Sequence, residues 1–145
     1  MQLGDRPRYP IHDLYLRPLE TNLEGGAAHL RLLAHSDHLM RRFGVAELIR
    51  LPAGATFGPR LQPVADDAWV LESGAADLFW RDERRGSPTR SAEHRWQALP
   101  PLLWLVPFGV AFGMRCSQPC VLIRLSTHEP EGKSMGSELP WPEDW

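Results

Sequence analysis

The residues with the most obvious chemistry are six histidines, two cysteines and a scatter of Asp–Arg pairs. The densest ionisable run is His35-Ser36-Asp37-His38, with His29 just upstream. An imidazole titrates near neutrality and suits proton transfer. Two imidazoles beside a carboxylate are also the start of a metal site. The same H-x-x-H spacing is equally what a polar loop between two strands looks like. His94 and His128 stand alone. Cys116 and Cys120 flank Ser117-Gln118-Pro119 and could meet across a hairpin. Two cysteines make no disulfide framework, and two buried thiols are the expectation in a reducing compartment. A zinc site on C-x-x-x-C would need two further ligands, and none is near. Arg60 lies in a run that reads as a strand. If it faces a core it needs Asp67, Glu72 or an anionic ligand, because an unpaired buried cation is expensive. Asp82 and Arg84 are spaced either to touch a ligand or to brace a turn. Trp69, Trp80, Trp96, Trp104 and Phe112 could stack on sugar rings or nucleobases, or simply fill a core.

These groups must be positioned by short strands. The chain has 145 residues, a formal net charge of -2, 43% hydrophobic and 23% charged residues. That is one domain with enough length for a real core. The near-neutral charge carries no basic stripe, so nucleic acid is not an expected partner. No apolar run is long enough to cross a bilayer, and the first ten residues lack the apolar stretch of a secretory signal. A cytoplasmic protein is the expectation. Basic charge is almost all arginine, with Lys133 the one lysine. Twelve glycines and fourteen prolines suit many strands joined by turns. Strands are expected at 13–17, 28–34, 43–51, 56–61, 68–72, 75–81, 93–98 (strand or loop), 102–106, 110–116 and 120–126. Residues 30–42 have a helical alternative. The 43–51 strand puts Glu47 on one face with Val45, Ile49 and Leu51, so that face is mixed. Strands at about ten-residue spacing, with turns at Pro52-Ala53-Gly54, Ser73-Gly74 and Gly86-Ser87-Pro88, imply an all-β sandwich or barrel. The expected division is an N-terminal arm over 1–27, a β-barrel over 28–128 and an acidic tail over 129–145.

The middle of the chain has a recognisable phrasing. Trp69-Val70-Leu71-Glu72-Ser73-Gly74 is followed by Asp82-Glu83-Arg84-Arg85-Gly86-Ser87-Pro88-Thr89, then by Pro107-Phe108-Gly109-Val110-Ala111-Phe112-Gly113. Over about residues 43–127 this resembles the cupin superfamily. Within it, the chain is most similar to the dTDP-4-dehydrorhamnose 3,5-epimerase (RmlC-like) branch, with its D-x-R-x-G-S-P-T and P-x-G-x-A-H-G segments. The resemblance implies a β-jelly roll, the double-stranded β-helix.

Departures from the family pattern decide the functional expectation. Metal-binding cupins use three histidines and a carboxylate. The matching positions here are Arg60, Gln62, Asp67 and Phe112, a set that offers a cation one carboxylate and one amide. No metal and no cofactor are therefore expected. The epimerases use a His base in an R-G-x-H segment, which is absent, and a Tyr acid where Ile123 stands. The parental 3,5-epimerisation is expected to be missing. The resemblance and the residues together imply a metal-free small-molecule-binding protein for a sugar or sugar-nucleotide-like ligand. Its pocket candidates are Arg60, Gln62, Asp67, Trp69, Trp80, Phe112 and Met114; catalytic residues are not assigned. The alternatives are a diverged isomerase or epimerase on a keto-sugar nucleotide, and a structural or regulatory cupin with no ligand. A homodimer is expected from the resemblance and from the apolar arm residues Tyr9, Ile11, Leu14, Tyr15, Leu16 and Leu19, which must bury somewhere.

Overall fold

A computed structural model describes residues 9–129 and 137–145. Residues 1–8 of the arm and 130–136 of the tail, Lys133 among them, lie outside the described residues. Among the described residues twelve strands run in chain order: β1 Leu16–Pro18, β2 Thr21–Glu24, β3 Ala27–Leu30, β4 Val45–Leu51, β5 Thr56–Leu61, β6 Asp67–Ser73, β7 Ala76–Asp82, β8 Glu93–Ala98, β9 Leu102–Val106, β10 Val110–Cys116, β11 Cys120–Ser126 and β12 Ser137–Glu138. Two five-stranded antiparallel sheets, ordered β1-β9-β6-β11-β4 and β12-β5-β10-β7-β8, face each other, and β2-β3 form a separate ribbon.

Period-two alternation explains the layers. On β11, Cys120, Leu122, Arg124 and Ser126 are buried while Val121, Ile123 and Leu125 are only half-buried. The space between the sheets holds Leu16, Trp69, Leu71, Leu78, Trp80, Trp104, Phe112, Met114 and Leu122 in one cluster. A second cluster lies on the outer face of the first sheet. There Val70, Leu103 and Ile123 are covered by Tyr15, Leu30, Leu32, Leu33 and Leu39.

Three segments depart from the sequence expectation. The 28–34 strand stops at Leu30 because Leu32 and Leu33 pack down onto that outer face rather than continuing the ribbon. The helical alternative for 30–42 reduces to a single 3-10 turn, His35–Asp37. β2 has no apolar alternation to announce it; the Gly25-Gly26 pair, both with positive φ, makes the hairpin. The arm from Ile11 to Leu19 buries on its own barrel, with β1 paired to β9. No helix among the described residues is long and apolar enough to cross a membrane.

Candidate functional site

Strand register lines up one inward residue from each strand of the first sheet: Leu16, Trp104, Trp69, Arg124 and Glu47. The second sheet has a matching row of Glu138, Arg60, Phe112, Trp80 and His94. The two belts meet at their aromatic middles. Phe112 lies 5.8 Å from Trp69 and 6.0 Å from Trp104, centroid to centroid, and Trp69 stacks on Trp104 at 6.3 Å. Trp80, Phe112 and Met114 are fully packed here, and the Trp80 indole N–H donates to the Leu105 carbonyl.

The belts turn polar at the β4 and β5 edges. The Arg124 guanidinium lies over the Trp69 ring at 5.8 Å, and Arg60 lies over Phe57 at 5.0 Å. Phe57 meets Trp69 edge-on at 5.0 Å, so the four side chains form a continuous cation–ring–ring–cation ladder. Arg124, only 3% exposed, faces Asp67 at 3.5 Å and Glu47 at 3.6 Å, distances too long for good hydrogen bonds. Burial pushes the Asp67 carboxyl up from its ordinary range, against the pull of Arg124 and Ser126. Six buried polar atoms around this end have no hydrogen-bond partner: Glu47 Oε1, Asp67 Oδ1, the Nε atoms of Arg60 and Arg124, and the indole nitrogens of Trp69 and Trp104. Such atoms are costly unless water or a ligand serves them. A cleft of about 190 Å³ reaches this cluster only at Asp67; its other walls include Leu39 and Leu105 of the outer-face cluster, and Arg84.

Of the sequence candidates, Arg60, Asp67, Trp69, Trp80 and Phe112 fall on or directly beside the belts, with Met114 two residues along β10. Gln62 follows β5, where its carbonyl accepts the Gly109 N–H at 2.7 Å. The partner of Arg60 is neither Asp67 nor Glu72 but Glu138 of the tail, at 3.5 Å. Sequence reasoning missed Arg124; Trp104 was named among the stacking or core aromatics but left out of the pocket candidates. Glu47 had a signal in the mixed face of 43–51, but Arg124 had none, because Val121, Ile123 and Leu125 make its opposite face the more apolar one. Ile123 faces outward, so an acid at that position would point away from the belts.

Asp82 and Arg84 brace a turn. Asp82 accepts from the Arg84 backbone at 3.1 Å, from its Nε and Nη2, and from Ser87 and Thr89 at 2.6 and 2.7 Å. Arg84 goes on to Asp13 and the His12 carbonyl, tying down the arm. Gly109, with φ +78°, is required because a Cβ there would meet the Arg84 stem. His35 and His38 are exposed on the 3-10 turn, and Asp37 is taken by Arg17 and the Ala34 N–H. Cys116 and Cys120 are free and buried. Among the described residues no three His, Cys, Asp or Glu side chains converge to hold a metal ion, and an Arg–Gln–Phe set does not suit one.

This architecture is an all-β jelly roll. More particularly, it shares its fold with solved dTDP-sugar isomerases and epimerases of the RmlC-like form. A dTDP sugar isomerase from Desulfovibrio desulfuricans G20 superposes with a TM-score of 0.80 at 16% identity, over 93% of this chain and 88% of that one. The dTDP-4-dehydrorhamnose 3,5-epimerase from Bacillus anthracis str. Ames, with TDP and PPi bound, gives 0.80 at 16% identity over 94% and 84%. ChmJ, a 3'-monoepimerase from Streptomyces bikiniensis in complex with dTDP-quinovose, gives 0.78 at 13% over 92% and 77%. At these identities the likeness establishes the fold. No family model matches the chain, and no curated protein does.

Proposed function

We propose that this chain binds a small molecule, a sugar or sugar nucleotide, at the polar end of the two belts. The observation that carries the reading is the set of six buried polar atoms there that lack a hydrogen bond, beside aromatic faces. Native interiors leave only a few such groups per hundred residues, and four of these six lie on register-paired neighbours, Glu47, Arg124, Trp69 and Trp104. Indole faces suit sugar C–H groups, and the four N–H donors with two carboxylate oxygens suit hydroxyls and phosphate. The bound nucleotides of two fold neighbours supply the ligand class to test. A thermal-shift series with dTDP, dTDP-glucose and thymidine is the experiment. A concentration-dependent rise in Tm supports the reading, since a ligand stabilises the folded state by mass action. No shift with any of them leaves the barrel as a structural or regulatory cupin.

A diverged epimerase or isomerase on a keto-sugar nucleotide is the second reading. It draws on Asp67, a buried carboxyl displaced toward the protonated form beside a fixed cation, the setting of an acid–base group. Solvent deuterium appearing next to the ketone of a 4-keto sugar nucleotide, and lost in Asp67→Asn, would establish it. A homodimer belongs to the same proposal. The β2-β3 ribbon is exposed along almost its whole length, with Leu23 78% exposed, and a lone hairpin is marginal in water. Sedimentation at micromolar concentration decides; a 16.4 kDa species overturns it. The cytoplasm, with its reducing poise, suits the two free thiols.

A further inference from the structure

We propose that Glu138 is a built-in competitor for the ligand: it holds the place where an anionic group, phosphate or pyrophosphate, would meet Arg60. The inference rests on the binding reading above and adds to it a residue that sets specificity and threshold.

The register leaves Glu138 little choice. It sits directly opposite Arg60 across the β12–β5 pair, and the Leu139 N–H donates to the Pro59 carbonyl at 2.9 Å. Beyond it the tail is anchored on the outer face of the second sheet. Trp141 lies on Gly113, where a Cβ would come within 2.7 Å of the indole ring. The Trp145 ring lies 5.6 Å from the Arg95 guanidinium and 5.5 Å from that of Arg115, and Asp144 bonds to Arg95 at 2.8 Å. The tail is thus held from outside while one carboxylate reaches the polar end of the belts.

The contact itself is weak. Glu138 is 78% exposed and stands 3.5 Å from Arg60 Nη2, outside hydrogen-bond geometry, while Arg60 is 26% exposed and its Nε has no partner. An exposed carboxylate gives up little by returning to water. A guanidinium presents five donors in a fixed fork, which a phosphate fills through two parallel bonds. Arg60 is therefore better matched by a phosphate than by the carboxylate it has. Among the described residues β12 is two residues long, a short pairing that opens at small cost. An anionic ligand must displace Glu138, whereas a neutral one that does not reach Arg60 need not.

Calorimetric titration of the full chain with dTDP and with thymidine tests this, using Glu138→Gln and Arg60→Gln. Gln keeps the strand and removes the charge. Glu138→Gln is expected to tighten dTDP by about two- to fivefold, the worth of an exposed ion pair, and leave thymidine unchanged. Arg60→Gln is expected to weaken dTDP about tenfold or more. If the parent binds dTDP and Glu138→Gln binds it equally, the competitor role is overturned and the site survives. If Glu138→Gln tightens both probes alike, the charge is not what the tail contributes and the proposal again fails. If neither probe binds any of the three proteins, the site reading falls and takes this inference with it.

Discussion

Asp82 and Asp67 are both buried aspartates facing an arginine, and the two surroundings differ in one respect. Asp82 accepts five hydrogen bonds from Arg84, Ser87 and Thr89, and their donors hold its carboxyl far below the usual carboxylate range despite its burial. Asp67 leaves one oxygen without a partner, holds Arg124 at 3.5 Å, and burial moves its carboxyl up. A filled network fixes a turn and ties the arm to the barrel; nothing remains for a ligand. A part-filled network against aromatic walls has capacity left over. The same residue pair is therefore structure in one place and a candidate site in the other, and satisfaction of hydrogen bonds is what separates them.

The largest expected effect comes from breaking the filled network. Asp82→Ala leaves Arg84 Nε, Ser87 and Thr89 without their acceptor and should cost about 3–5 kcal/mol, as removal of one partner from a buried pair does. Urea unfolding monitored by tryptophan fluorescence measures it. A loss below about 1 kcal/mol, the level of an exposed pair, would erase the distinction drawn here.

The opposite outcome is expected at the belts. Replacing Glu47, Asp67 and Arg124 together by Gln, Asn and Met removes three poorly served charges without leaving one alone. Such replacements are neutral or stabilising by about 1–4 kcal/mol. The same variant should lose dTDP binding, the trade expected when a site carries strain that the fold does not need. A triple variant that unfolds would mean that Arg124 is core architecture.

How much of this could be read in the sequence follows the same division. The Asp82 turn was legible because all its parts lie within eight residues, in the order the turn needs them. Most strands were legible because alternation is local. The belts were not, because they are assembled by register from strands far apart in sequence. Arg124 lies in VLIRLS, where only the pairing with Trp69 and Glu47 shows that it faces inward. Glu138 read as part of an acidic tail, and only its position opposite Arg60 gives it a role. Of the β2-β3 ribbon only β2 was missed, because its residues carry no buried face.

A pH series sharpens the comparison with a smaller effect. The Asp82 pKa is depressed in the fold, so its stabilisation is present above the ordinary carboxylate value of 3.8 and is lost as pH falls below it. The Asp67 pKa is raised, so its contribution runs the other way: full below 3.8 and lost as pH rises through the folded value. Asp67→Asn removes that loss. Its stability relative to the parent should therefore grow as pH rises above 3.8, and level off once the folded carboxyl is ionised. Urea midpoints at four pH values suffice, and a constant difference between the two proteins would show that Asp67 is ionised normally.

The smallest effect tests whether the Asp82 network owes its strength to burial or merely to charge. Asp13 also bonds to Arg84, at 3.1 Å, but is 56% exposed. It sits at φ +69°, a left-handed conformation that Asn adopts as readily as Asp. Asp13→Asn therefore removes the charge without straining the backbone. An exposed ion pair contributes about 0–1 kcal/mol, so the variant should lie within that range of the parent. Arg84 stays occupied by both Asp82 oxygens and by the His12 carbonyl at 2.7 Å, so no donor is stranded in the interior. The loss should also shrink in 1 M salt, which screens surface pairs within about 3 Å, while the Asp82→Ala loss should not. If Asp13→Asn instead costs as much as Asp82→Ala, the network's strength lies in anchoring the arm through charge, and burial of Asp82 is incidental to it.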